Sequence, residues 1–209
     1  MSFGLVKHNN NSISAITTPG NLAQGKMTLI KEQTASSSAS ISFVHGSSSV
    51  VFDSTYPIYV FKFINIHAAT NGAHFQFNFS TDSGSNYNVT KTSTHFQAYH
   101  LEDGSASGTL YQTTYDLAQS SSYQTLSNDT GNDNDQSTSG SMIIFDPSST
   151  TFIKNFLARM NNTQKDDYQT DYYIGGYGNT TSAVNAIQFK FNSGNIDDGT
   201  IKLYGIKGS

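Results

Sequence analysis

Between residues 186 and 191 every second side chain is large and apolar: Ile187, Phe189 and Phe191 alternate with Gln188 and Lys190. Residues 74–79 repeat the pattern, with Phe75, Phe77 and Phe79 set between His74, Gln76 and Asn78. Period two sends neighbouring side chains to opposite faces of an extended chain. Each segment therefore predicts a strand with one face in a core and the other in water. After the first of them comes the turn signal Ser193-Gly194-Asn195-Ile196-Asp197-Asp198-Gly199, and then a second strand-like run at 200–206. Gly, Asn and Asp supply the backbone freedom of a bend, so the spacing predicts a β-hairpin over 185–206.

The same reading predicts further strands at 27–33, 38–44, 58–66, 94–101, 141–145 and 152–160, separated by turn-forming clusters, with no capped helical period. In 58–66 both faces are apolar, Ile58, Val60, Ile64 and Ile66 on one and Tyr59, Phe61 and Phe63 on the other. Such a strand lies centrally or beneath a covering loop or neighbouring subunit. In 152–160, Phe152, Phe156 and Met160 stand four apart as in a helix, but Phe152, Phe156, Ala158 and Met160 also fit period two, and the Ser- and Asn-rich flanks favour strand. Two long polar segments, 102–140 and 161–184, interrupt the pattern; segments of this length carry binding function, contain short strands of their own or stay mobile. About nine strands with long loops predict an all-β fold, an antiparallel two-sheet sandwich of jelly-roll type over 26–209. Residues 1–25, rich in Asn, Ser and Thr with no sustained period, predict an extended N-terminal arm.

The sandwich has an unusual surface. Charged residues make up 12% of the 209, about half the usual ~25%, while Ser, Thr, Asn and Gln supply two fifths. The net charge is −4 and the 11 Lys and Arg are scattered, which argues against the basic face that nucleic acid requires. No run approaches the ~20 apolar residues of a membrane span, and the first residues lack the apolar centre of a signal peptide. Neither a nucleic-acid nor a membrane partner is expected, and if the protein acts outside a cell, release would be by lysis or as part of a particle. With no Cys, disulfides, thiolate zinc sites and cysteine nucleophiles are excluded.

Residues spaced for catalysis or metal binding are few. His95 and His100, five apart on one predicted strand, face opposite sides, and His67 and His74 have no neighbouring carboxylates in sequence. The run Asn128 to Asp135 is dense in oxygen ligands but lacks the spacing of an EF-hand loop. Glu32 and Glu102 are the only Glu residues, so no carboxylate pair for glycoside hydrolysis is evident. The Ser runs lack a nucleophile elbow. Neither catalytic residues, a metal site nor a cofactor is expected, and the chain is not expected to be an enzyme. One constellation stands out at 166–178, where Tyr168, Tyr172, Tyr173 and Tyr177 are mixed with Asp171 and three Gly. Tyr offers a flat apolar face with a polar tip, so a loop of this kind can stack on a sugar ring or grip a protein surface. The same Tyr residues would serve equally as half-buried strand residues at a sandwich rim.

Several separated segments carry a resemblance: Leu29-Ile30-Lys31-Glu32-Gln33-Thr34-Ala35-Ser36-Ser37-Ser38-Ala39-Ser40-Ile41-Ser42-Phe43, Ser85-Asn86-Tyr87-Asn88-Val89-Thr90-Lys91, Ala98-Tyr99-His100, Gly178-Asn179-Thr180-Thr181-Ser182-Ala183-Val184-Asn185-Ala186 and Asn195-Ile196-Asp197-Asp198-Gly199-Thr200-Ile201-Lys202-Leu203-Tyr204-Gly205-Ile206. In order and together they resemble a family of virion-associated structural proteins of marine tailed bacteriophages, cyanophage-like. The resemblance implies a place on the virion and supplies no catalytic residues. The expected function is a structural protein on the particle surface, a capsid decoration or cement protein or a fibre subunit. It would associate with its own copies, as a homotrimer by analogy, and with a major capsid or tail protein. The alternative is a host-surface adhesin whose 166–178 loop binds a glycan.

Overall fold

The structure, a computed structural model, describes residues 27–207; the expected arm at 1–25 lies outside them. Twelve strands are seen among the described residues: β1 Met27–Thr34, β2 Ile41–Val44, β3 Ile58–Ala68, β4 Ala73–Ser80, β5 Lys91–Leu101, β6 Ser107–Tyr111, β7 Gln124–Thr130, β8 Thr138–Phe145, β9 Lys154–Thr163, β10 Tyr168–Gly178, β11 Ala186–Phe191 and β12 Ile196–Ile206. They form two antiparallel sheets, β1-β12-β3-β8-β9-β10-β5-β6 and β2-β11-β4-β7.

Setting aside the hairpins β5-β6 and β9-β10 leaves eight strands. The first pairs with the last, the second with the seventh, the third with the sixth and the fourth with the fifth. Apart from the fourth and fifth, which pair within one sheet, successive strands alternate between sheets, so a long folded-over ribbon has been rolled into two layers, which is the jelly-roll topology. Both extra hairpins join the same sheet and stand side by side at one end of it, widening it to eight strands.

Alternation builds the core. Phe75, Phe77 and Phe79 of β4 and Ile187, Phe189 and Phe191 of β11 are buried on one sheet, facing Tyr59, Phe61 and Phe63 of β3, Met142 and Ile144 of β8 and Phe156 and Met160 of β9 on the other. The even positions of β9 are buried and the odd ones exposed, as period two requires. Phe152, however, precedes the strand and is 69% exposed, so it is not a core residue.

Three other expectations are corrected. Residues 185–206 do not form a hairpin: β11 pairs with β2 and β4, whereas β12 pairs with β1 and β3 in the opposite sheet. The bend between them is an arch across the core, and Asp197 and Asp198 belong to β12 rather than to the turn. In β3 the faces are not constant, because a bulge with Asn65 at φ 49° shifts the alternation. Ile66 thereby joins Phe61 and Phe63 in the core, while Ile64 is left outside. The third correction concerns the Tyr-rich stretch: the polar segments contain β6, β7 and β10, as one of the readings allowed, but the loop expected at 166–178 is a strand paired on both sides.

Candidate functional site

The outer face of the eight-stranded sheet ought to be polar, since the core uses the inner one. It is not. Cross-strand register brings Leu29, Tyr204, Val60, Ile143 and Leu157 into one row across β1, β12, β3, β8 and β9. A parallel row two residues along joins Met27, Ile206, Ile58 and Phe145. Leu157 is 53% exposed and Leu29 48%.

On β5 and β6 the face continues with Phe96 and Tyr111, which pair directly. Phe96 stacks flat on Tyr173 of β10, centroids 5.0 Å apart and planes 4° from parallel. On the other side of that ring the Arg159 guanidinium lies 4.9 Å from its centroid. Asp171, two residues before Tyr173 on the same face, holds Arg159 by a fork: Nε donates to Oδ1 at 3.1 Å and Nη2 to Oδ2 at 2.6 Å. The Tyr173 hydroxyl donates to Asp171 Oδ2 at 3.0 Å. The neighbouring carboxylate pushes the Arg159 pKa further up. Gly175 leaves a gap in the row beside Leu157, where an added Cβ would meet Leu157 Cδ2 at 3.4 Å. The result is a groove of about 420 Å³ between Phe96, Tyr173, Leu157 and Ile143. Farther across the sheet Lys202 and Glu32 pair at 2.9 Å. This face offers a fixed aromatic and aliphatic surface with paired charges along one side, which suits docking a solid partner.

The Tyr residues expected to act together are divided by the pleat. Asp171, Tyr173 and Tyr177 fall on the outer face. Tyr172 is fully buried between His95 and the polar end of β7, where its hydroxyl donates to the Asn128 carbonyl at 3.1 Å and accepts from Gln164 Nε2 at 2.7 Å. Burial pushes its pKa up to about 12. It is a core residue. Tyr168 shares the inner face and lies edge-on to Tyr99, centroids 5.7 Å apart. Sequence reasoning missed Phe96, Ile143, Leu157 and Arg159. The signal was present: Ile143 between Met142 and Ile144, and Leu157 between Phe156 and Ala158, make those strands apolar on both faces, as 58–66 is.

The Asp-rich stretch of the long loop does approach β12. Asn134 and Asp135 share a polar pocket with His67, Asp197 and Asp198. Among the described residues, however, no three His, Asp or Glu side chains are grouped closely enough to hold a metal ion. No protein family, no curated protein and no solved structure matches this chain.

Proposed function

We propose that this chain is a structural protein of a virus particle, a decoration or fibre subunit that packs the outer face of its large sheet against further copies of itself. The observation that carries this reading is the apolar row Leu29-Tyr204-Val60-Ile143-Leu157, exposed at its ends Leu29 and Leu157, half-buried at Tyr204 and Ile143 and buried at Val60, on a face the protomer's own core does not use. Monomeric soluble proteins rarely leave such rows open to water, and burying them drives association. The ion pairs beside the row give it register and keep it soluble before assembly. The resemblance to virion proteins of tailed phages supports the same reading, and a trimer is the assembly that fits both a capsid threefold position and a fibre.

Light scattering on the intact chain and on a Leu29→Glu, Leu157→Glu double variant tests it. The expected result is a trimer mass that falls to one protomer in the variant at an unchanged melting temperature. A wild-type protein that stays monomeric at high concentration, or a variant that still assembles, overturns it.

A further inference from the structure

Four strands cannot cover eight. At the end widened by the two hairpins, the inner face of the large sheet opens into a cleft of about 280 Å³ bounded by β5, β6, β7 and the start of β10. Its walls include Tyr99 and Tyr168, already noted as an edge-on pair. Gly108, beside Tyr99 on β6, makes room for that ring, since a Cβ there would stand 3.2 Å from the Tyr99 hydroxyl. Its polar lining includes Gln97, Asn128, Asp129 and Gln164.

Two of these residues have an unmet need. Gln97 is 7% exposed and Asn128 3%, yet Gln97 Oε1 and Asn128 Oδ1 have no hydrogen-bond partner among the described residues. The Asn128 amide cannot turn to correct this, because Nδ2 is engaged by Asp129 Oδ2 at 2.8 Å. In the layer beneath them Asn162 Oδ1 is also buried without a partner among the described residues. A buried acceptor left unpaired costs on the order of 1–3 kcal/mol, and native proteins keep few of them. Several together beside an open cleft point to hydrogen-bond donors that arrive from outside.

The lining defines the donor. It contains four side-chain amides, a carboxylate, Leu110 and two aromatic rings but, among the described residues, no Lys or Arg, so an anion would find no counter-charge. A polyol with C–H faces supplies hydroxyl donors for Gln97, Asn128 and Asp129 and apolar faces for the Tyr rings. We infer that this cleft is a binding site for a neutral saccharide. It lies on the other side of the sheet from the outer apolar face, and it is independent of self-assembly.

Saturation-transfer NMR with the methyl glycosides of glucose, galactose, mannose and N-acetylglucosamine at millimolar concentration tests the site. At least one should receive saturation at its ring protons. Tyr168→Ala should weaken that binding tenfold or more, and so should Asp129→Asn, which keeps the shape of the side chain and tolerates its φ of 52°. Tyr177→Ala, on the opposite face, should leave it unchanged. If Tyr168→Ala does not fold, the isosteric Asp129 variant decides alone. Absence of transfer to all four glycosides overturns the inference, and so does binding that survives in the folded cleft variants. Either failure would leave the light-scattering result for the outer face untouched.

Discussion

Gly199 of β12 lies against Asn65 of β3, so close that a Cβ on the glycine would stand 2.6 Å from the Asn65 carbonyl oxygen and 2.8 Å from Ile66 Cα. Gly199 has φ +117°, which residues with a side chain rarely adopt. The two residues sit at facing irregularities in the β3-β12 ladder, and the bulge they form is what turns Ile66 inward. Gly199→Ala strains the backbone and drives a methyl group into the partner strand. It should lower stability by about 2 kcal/mol or more, visible as a fall in melting temperature of at least ~4 °C for a chain of this size. An unchanged melting curve would mean that the bulge does not fix the register.

Phe189 joins the layers. Its ring centroid lies 4.9 Å from Phe61, 5.1 Å from Phe63, 6.0 Å from Phe75, 6.3 Å from Phe43 and 6.4 Å from Phe77. Phe189→Ala opens a cavity among five aromatic neighbours, and such truncations cost about 3–5 kcal/mol, against a total stability of ~5–15 kcal/mol. Urea unfolding should show a midpoint lowered in proportion, with the slope retained.

The sandwich was legible because Phe75-Phe77-Phe79 and Ile187-Phe189-Phe191 state their burial within a few residues. Their partners were not. Alternation looks the same whether a strand returns beside its neighbour or crosses to the other sheet, so β11 and β12 read as a hairpin. β7 was invisible for a different reason: Gln124, Thr125, Ser127, Asn128 and Thr130 are all buried, and what satisfies much of this polar strand comes from distant residues such as Asn162, which donates to the Asn128 carbonyl at 2.9 Å. Polar side chains that bury through long-range hydrogen bonds leave no local apolar signal. Asp171 and Tyr173 were legible as neighbours on β10, but only the pairing with β9 and β5 reveals that Tyr172 points away from them.

Arg159 is exposed and its fork with Asp171 faces water in the protomer. Exposed pairs of this kind contribute little to folding. Arg159→Ala should therefore leave the melting temperature of a dilute sample unchanged. It should nonetheless weaken self-association, because it removes the cation over Tyr173 at the edge of the apolar row. Sedimentation at several concentrations checks this, and a variant that assembles as tightly as the wild type would confine the interface to the aliphatic rows.

Lys91 is fully buried at the start of β5, its Nζ donating to the Val89 carbonyl at 2.8 Å and to the Asn78 side chain, with no carboxylate beside it. Burial lowers its pKa from 10.5 to about 7. Between those values the unfolded chain holds the proton and the native state does not, so stability rises with pH. From pH 7 to pH 9 the gain should be roughly 2 kcal/mol. This window lies below the Tyr titrations, which act in the opposite sense because Tyr59 and Tyr172 are raised to about 12. Lys91→Met should flatten the rise in a pH series of urea titrations.

His95 governs the acid side. Its ring is buried against Tyr115 and Tyr172, neither nitrogen has a hydrogen-bond partner among the described residues, and burial lowers its pKa from 6.5 to about 4, with the Asp116 charge opposing the shift. The native state thus keeps His95 neutral while the unfolded chain takes up a proton below pH 6.5. The stability held above that pH is lost progressively as pH falls toward 4. Between pH 7 and pH 5 the loss attributable to this ring should be about 2 kcal/mol. His74, also lowered by burial, acts in the same direction, so the difference between wild type and His95→Phe isolates the one ring. The variant buries an apolar ring of similar size where two unpaired nitrogens stood, and it should match or exceed wild-type stability at pH 7. At pH 5 its advantage should be larger by that same ~2 kcal/mol. The lowered carboxyls of Asp53, Asp82 and Asp103 act below their ordinary value of 3.8, outside this window. Equal pH profiles for the two proteins would mean that His95 is charged within the fold, and that the polar layer beneath the cleft holds a partner for it.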